Sequence, residues 1–439
     1  MLEKNFCSSP WFHLRIDTVG NYLPCRWGSK ISDNTKHNIA NTSMVEYMQT
    51  DIMNSMRQEL LNGDSPSACS FCQYEQSLDK VSGRQRQLLK SGIVDSRFDK
   101  TFCSSPHWNY FQYSYDNQGQ TKEHPVDLQI DLGNTCNSSC IMCDPKFSSR
   151  VAKDQTQLHK VNPILFKSPA VIKNWTHDQK LVDKFVNELS ELSSIKYIHF
   201  IGGETLYMQS FYDICNRMIE NGTAKDAIMG TTTNCTVYDE RIENIISNFK
   251  EVHLGLSIEA VTPLNDYVRW PSQIDDVISN IKKFLALKEK HDMFISLRIT
   301  PNVLSIYHLD KLFDFMIENQ ITAESCDILH KPSCLRIELL DQNLKQDVIN
   351  KLESLVNKYQ LTRPVDKIIN RRMDKKSMDI ITDSVFEYIN FLTHYKEPDD
   401  IEKERKNLVE YLKAYESIHN NKILDYLPEY EEFLRSNGY

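Results

Sequence analysis

The stretch Asp131-Leu-Gly-Asn-Thr-Cys136-Asn-Ser-Ser-Cys140-Ile-Met-Cys143 decides how this chain is read. It begins inside Val126 to Leu132, whose apolar alternation predicts a strand. Three cysteines then follow at a C-x3-C-x2-C spacing. Three neighbouring thiolates can hold three corners of an iron–sulfur cube, where a closed site takes four. The fourth iron is then left open, as catalytic metal sites keep a position for what they act on.

Outward from that stretch, strands and helices alternate. Strands are expected at Val126–Leu132, Ile195–Ile201, Ala227–Thr232, Glu251–Ile258, Met293–Thr300 and Ser325–Leu329. Helical spacing falls between them at Leu181–Leu192, Phe211–Asn221, Asp239–Asn248, Ile274–Glu289 and Ile306–Asn319. About six βα units in series predict an α/β domain with a parallel sheet, open or closed into a barrel. Functional residues of such domains sit on the loops after the strands' carboxyl ends. The cysteines follow the first strand, Gly202-Gly203-Glu204 the second, Thr233-Asn234 the third, and Ser257 and Glu259 the fourth. Asp144 to His177 reads as one long connection, and a loop of that length beside the cysteines suits a lid. Cys215 lies in an amphipathic helical pattern and reads as core.

The first hundred residues hold a second cysteine set. Phe12 to Asp17 alternates as a strand, Asp17-Thr-Val-Gly20-Asn21 is turn chemistry, and Tyr22-Leu-Pro-Cys25 begins the return. The hairpin brings Cys7 and Cys25 toward its open end. Val45 to Leu61 has helical spacing and stops at Asn62-Gly63, directly before the C-x2-C knuckle Cys69-Ser-Phe-Cys72. Four cysteines so placed suit Zn²⁺ or an iron–sulfur cluster equally by spacing. Residues 75–125 read as a polar, aromatic-rich connector, in which Phe102-Cys103-Ser-Ser-Pro106 echoes Phe6 to Pro10.

Composition narrows the class. A chain of 439 residues with a 40% hydrophobic fraction has enough apolar surface for two or three domains. No apolar run approaches the roughly 20 residues that span a bilayer. The start, Met1-Leu-Glu-Lys-Asn-Phe-Cys, lacks a basic region followed by an apolar one, so a cytoplasmic protein is expected. A net charge of −9 with scattered Lys and Arg argues against bulk nucleic-acid binding. The short basic run Asn370 to Lys376 reads as a solvated helix face. Disulfides are rare in the cytosol, so 12 cysteines, seven of them in two sets, point to metal or redox chemistry.

Cys136-x3-Cys140-x2-Cys143, with Ile201-Gly202-Gly203-Glu204 after the next strand, resembles the radical S-adenosylmethionine (SAM) superfamily over residues 126–330. The resemblance implies a partial (β/α)6 TIM-like barrel and an enzyme that cleaves SAM reductively, giving a 5′-deoxyadenosyl radical for hydrogen abstraction. It implies that Cys136, Cys140 and Cys143 ligate a [4Fe–4S] cluster whose open iron is chelated by SAM. Gly202, Gly203 and Glu204 would hold the methionine amino end. Asn234, Ser257 and Glu259 match positions that contact ribose or the methionine carboxylate, and Arg269 is a candidate partner for that carboxylate or a surface ion pair. Asn234-Cys235 stands where family members often have Asn-Gly, which leaves Cys235 near the site. An electron donor such as flavodoxin or ferredoxin is implied.

Cys7, Gly20-x4-Cys25 and Cys69-x2-Cys72 resemble part of the auxiliary-cluster modules called SPASM and twitch, placed here before the barrel instead of after it. That likeness favours an auxiliary [4Fe–4S] cluster over zinc; Cys326 and Cys334 lie where a conventional twitch region would begin, which leaves open either a divided module or a substitute ligand. The expected organisation is a SPASM/twitch-like module and connector at residues 1–125, a radical SAM barrel at 126–330 and a helical tail at 331–439. The tail would pack on the barrel or cap the substrate cavity. Family members with auxiliary clusters often modify peptides, so a peptide or protein side chain is the expected substrate. The rivals are a small-molecule or carbohydrate substrate and, in another class, a non-catalytic zinc or iron–sulfur protein.

Overall fold

The computed structural model describes residues 5–26, 36–77, 82–90, 108–192, 195–326, 328–364 and 376–439. Its centre is one eight-stranded sheet of β1 (His13–Ile16), β2 (Tyr22–Leu23), β3 (Asp127–Asp131), β4 (Tyr197–Ile201), β5 (Ile228–Thr233), β6 (Glu251–Leu256), β7 (Met293–Ile299) and β8 (Thr322–Cys326). The spatial order is β2-β1-β3-β4-β5-β6-β7-β8. From β3 to β8 every pairing is parallel, so the six strands expected of a partial barrel are present, in a sheet that does not close. The last of them lies at Thr322–Cys326, earlier than the expected Ser325–Leu329.

The principal helices are α1 (Asp51–Leu61), α2 (Trp108–Asp116), α3 (Ser149–Val161), α4 (Gln179–Glu191), α5 (Gln209–Glu220), α6 (Arg241–Asn248), α7 (Ile274–Lys288), α8 (Leu309–Glu318), α9 (Gln342–Tyr359), α10 (Ser377–His394) and α11 (Ile401–His419). Helices α4 to α8 cross between successive strands, as parallel pairing requires. Each buries one stripe: α4 turns Val182, Phe185, Val186 and Leu189 inward, and Asp178 caps its first turn through Lys180 N. Strand β3 is buried along its whole length because the sheet is covered on both faces.

Two expectations change here. The connection after the cysteines is not a long lid, since it contains α3, a helix of 13 residues. Only Val151 and Leu158 of α3 are buried, too few apolar contacts for a clear helical period, and Ser148 starts the helix by accepting from Val151 N. The region read as a connector returns to the N-terminal core: Phe111 of α2 packs with Phe6, Trp11, Phe12, Met56 and Leu60. Arg57 is wholly buried beneath this core and donates to the carbonyls of Pro10, Met48 and Gly119 at 2.9, 2.7 and 3.1 Å. Cys103, with its Phe-Cys-Ser-Ser-Pro echo, and residues 370–375 of the basic run lie outside the described residues.

The N-terminal hairpin extends the same sheet. β1 lies parallel to β3, with His13 opposite Asp127 and Ile16 opposite Ile130. Arg15 on β1 donates to Asp131 at 2.5 Å, so a side chain from the first twenty residues ends beside the residue that opens the cysteine loop.

Candidate functional site

The loop from Gly133 to Cys143 leaves the carboxyl end of β3, and neighbouring strand ends hold it in place. Ser139 N donates to Trp270 O at 2.7 Å and Ile141 N to Val268 O at 2.8 Å. This short pairing sets Arg269 across from Cys140, and Arg269 Nη1 donates to Cys140 Sγ at 3.7 Å. Ser138 N donates to Cys136 Sγ at 3.4 Å. On the next strand end Glu204 N bonds Thr135 O at 2.9 Å. Gly203 makes this approach possible: its φ is +43°, and a Cβ there would strike the Thr135 carbonyl.

The polar residues expected around the cysteines are together, but several are already engaged. Glu204 Oε1 accepts from Leu206 N at 3.2 Å and Oε2 from Asn234 N at 2.6 Å. Its carboxylate therefore ties β4 to β5, with lone pairs remaining for a cation. The Asn234 amide donates to Asn137 Oδ1 and Ser138 Oγ, both at 2.9 Å, and accepts from Thr236. It is a strut for the cysteine loop. Glu259 Oε1 pairs Arg269 at 2.7 Å and Oε2 accepts from Thr300 N at 3.3 Å. That pair is buried, with side-chain exposures of 12% for Arg269 and 1% for Glu259, so a surface ion pair is not what Arg269 makes. Ser257 sits one residue past β6, its N–H on Thr233 O at 2.8 Å.

Burial governs the electrostatics. It pushes the Cys136 thiol up to about 11, with the Cys140 thiolate adding to the rise. Cys140 is raised by burial against the lowering pull of Arg269, and Cys143 by burial and then by Cys140 and Cys136. Burial also lifts the Glu204 carboxyl to about 6. Burial alone would lower Arg269, but Cys140 and Glu259 beside it leave it raised and charged. A bound metal deprotonates such thiols outright. Three half-buried cysteines on one loop, with a fixed guanidinium on the middle one, suit an iron–sulfur cluster by donor chemistry. Among the described residues no three His, Cys, Asp or Glu side chains group tightly enough to hold a single metal ion.

The N-terminal cysteines also gather. Cys69 ends a 3-10 turn and Cys72 lies in the helix Ser70–Ser77. The Cys69 thiol is raised by burial and then by Cys7, Cys25 and Cys72, so all four share one neighbourhood. Cys103 lies outside the described residues, and Cys235 follows Asn234 within charge range of Glu204 and Arg269. Cys215, Cys235 and Cys334 are buried in the main core, and Cys326 is on β8. Cys235 adopts φ +61°, and its carbonyl accepts from Asn280 at 2.9 Å.

The tail was expected to pack on the barrel, but sequence reasoning singled out none of its residues. Tyr411 and Tyr415 of α11 donate to Ile141 O and Ser139 O at 2.8 and 2.9 Å. A cavity of about 490 Å³ opens beside Cys136, lined by Asn137, Arg150, Lys153, Tyr207, Trp270 and His419 among others. No periodic or motif signal links residues so far apart in the chain.

No described helix is long and apolar enough to cross a membrane. No curated protein matches the chain. Among solved structures, Streptococcus suis SuiB bound to the precursor peptide SuiA aligns at 15% identity over 72% of this chain and 61% of its own, with a TM-score of 0.32. Native anSMEcpe with bound AdoMet aligns at 16% identity over 54% and 61%, with a TM-score of 0.36. TsrM, a radical SAM methyltransferase from Kitasatospora setae, aligns at 10% identity over 46% and 38%, with a TM-score of 0.32. The chain thus spans 61% of the length of the first two of these structures. Residues 130–300 match the family model of the Radical SAM superfamily. The cysteine loop, the Gly-Gly-Glu turn and strands β4 to β7 all fall within those bounds, so residues 130–300 form a radical SAM domain.

Proposed function

We propose that this enzyme modifies a side chain of a peptide or protein, and that it carries a second [4Fe–4S] cluster on Cys7, Cys25, Cys69 and Cys72. The observation that carries the second cluster is the gathering of those four thiols in one neighbourhood, where burial and their mutual charge raise Cys69. The substrate class rests on the likeness of that set to SPASM and twitch modules. In this reading residues 1–125 are the auxiliary module, 126–330 the barrel, and 331–439 a helical region packed against the cysteine loop. The protein works in the cytoplasm with a flavodoxin or ferredoxin as electron donor.

When bound, the superfamily's [4Fe–4S] cluster and SAM supply reductive cleavage of the C5′–S bond and a hydrogen-abstracting 5′-deoxyadenosyl radical. The residues of this chain bind and orient. Cys136, Cys140 and Cys143 offer one thiolate each. Gly202, Gly203 and the remaining lone pairs of Glu204 accept from an ammonium group. Arg269, held by Glu259, supplies positive charge near Cys140 and a carboxylate. Asn234 keeps the cysteine loop against β5, and Ser257 lies at the same rim.

Anaerobic reconstitution followed by dithionite and SAM tests the reaction. Wild type is expected to release 5′-deoxyadenosine and Cys140→Ala to release none. About eight irons per chain are expected for two clusters, falling to about four in Cys69→Ala/Cys72→Ala. Four irons with one zinc would remove the second cluster and leave the first. A short precursor peptide encoded beside this chain should change in mass only with SAM and wild-type enzyme. A carbohydrate or metabolite modified instead would overturn the substrate class.

A further inference from the structure

The tail helix α11 makes an unusual set of contacts with the cysteine loop. Ser139 and Ile141 flank Cys140, and their N–H groups are taken by Trp270 O and Val268 O. Their carbonyls face the other way. Ser139 O accepts from Tyr415 Oη at 2.9 Å and Ile141 O from Tyr411 Oη at 2.8 Å. Both backbone groups on either side of Cys140 are thereby fixed, one pair by the barrel and one pair by α11. The two tyrosines lie four residues apart, one helical turn, which matches the two-residue spacing of the carbonyls along an extended loop. Farther along the same helix His419 pairs Asp154 of α3 at 3.2 Å, and its ring lies 4.2 Å from that of Trp270. Helix α11 therefore touches the loop, the helix that follows it and the segment that carries Arg269.

We propose that Tyr411 and Tyr415 are positioning residues for the cluster: their hydroxyls hold the two carbonyls beside Cys140 and so fix where that thiolate points and how much water reaches it. This rests on the reading of Cys136, Cys140 and Cys143 as cluster ligands. Hydrogen bonding and solvent exposure around ligating sulfurs set both cluster retention and reduction potential. A phenylalanine at either position keeps the ring, which packs on Phe166 for Tyr411 and on Tyr267 for Tyr415, and removes only the hydroxyl. The two freed carbonyls would then turn toward water, and the Cys140 sulfur would lose its fixed direction toward Arg269.

The test compares Tyr411→Phe/Tyr415→Phe with Tyr430→Phe. Tyr430 is a useful control, because its buried hydroxyl donates to Val303 O at 2.6 Å, away from the cysteine loop. In reconstituted protein of the Cys69→Ala/Cys72→Ala background, the double variant is expected to lose iron to a chelator about tenfold faster than its parent. Its cluster midpoint potential should move as well. Tyr430→Phe should match the parent in both, whatever it costs in melting temperature. Amide hydrogen exchange on the metal-free protein gives an independent readout: exchange at residues 139–142 should rise in the double variant and stay unchanged in Tyr430→Phe. Equal exchange and equal iron release in all three proteins would overturn the proposal. A wild-type protein that takes up no iron would instead overturn the cluster reading, and the exchange result would still decide the clamp.

Discussion

Glu259 and Arg269 illustrate how much of this site is held by charge in a place from which water is excluded. Glu259 is almost fully enclosed, and Arg269 gives it one of its two hydrogen-bonded contacts. Replacing Arg269 with Met keeps the volume but leaves a buried carboxylate without its cation, which costs about 3–5 kcal/mol. A urea titration of Arg269→Met should show that loss, and the Glu259→Gln/Arg269→Met pair should recover much of it. A second residue gives a pH signature remote from the cysteines. His308 is buried beside Thr262, and burial, then Lys311 and Lys351, push its ring down to about 4 against the weaker opposite pull of Glu429. The folded state then binds fewer protons than the unfolded chain between about pH 6.5 and 4. Stability is complete above that window and falls as the pH drops through it. In His308→Asn that part of the decline should be missing from melting curves recorded at pH 7, 6 and 5.

At the level of elements, two junctions decide the site. One is the start of α3, where Ser148 both caps the helix through Val151 N and donates to Ser138 O at 2.9 Å. Ser148→Ala should cost about 1 kcal/mol for the cap, measured by chemical denaturation, and should loosen the loop it also holds. The other is the turn after β4. Gly203→Ala forces a side chain into a left-handed backbone and onto the Thr135 carbonyl, so a loss of about 1–3 kcal/mol from backbone strain is expected, with more from the clash. Gly203→Ala should therefore be less stable than Gly222→Ala, whose Cβ would meet nothing, although both glycines have positive φ. These elements differ in how far they can be read from residues. The strands β3 to β7 show as short alternating or apolar segments between helical patterns, and Cys136 to Cys143 and Gly202 to Glu204 as contiguous motifs. Helix α3 does not, because only Val151 and Leu158 face inward. Nothing local in Tyr411 or Tyr415 announces that a hydroxyl will meet a carbonyl on another element, since an amphipathic helix buries tyrosines for packing alone. The engagement of Asn234 and Glu204 by backbone groups is likewise a matter of tertiary geometry, invisible to a motif.

The whole molecule joins its first strand and its last long helix to the same loop. β1 covers the edge of β3, and Arg15 reaches Asp131 from it. A chain beginning at residue 126 would leave the β3 edge bare, with unpaired backbone groups along a buried strand. Such a protein should elute as aggregate or dimer on size exclusion, whereas adding residues 1–125 as a separate chain should restore part of the monomer. The hairpin was legible as a hairpin from its turn chemistry, while its parallel seat beside β3 was not. Alternation predicts that a strand exists and says nothing about which neighbour it takes across a hundred residues.

The reach of Tyr411 and Tyr415 has a consequence in time. The carbonyls they hold lie 270 and 276 residues earlier in the chain. At ribosomal speeds of about 5–20 residues per second, the cysteine loop leaves the ribosome roughly 15–50 s before the helix that fastens it. For that interval three thiols are exposed on an unfinished nascent chain, open to oxidation and to stray metals. On the proposed reading of these thiols as cluster ligands, a chain stopped at residue 400, before the two tyrosines, should retain less iron after reconstitution than the full chain.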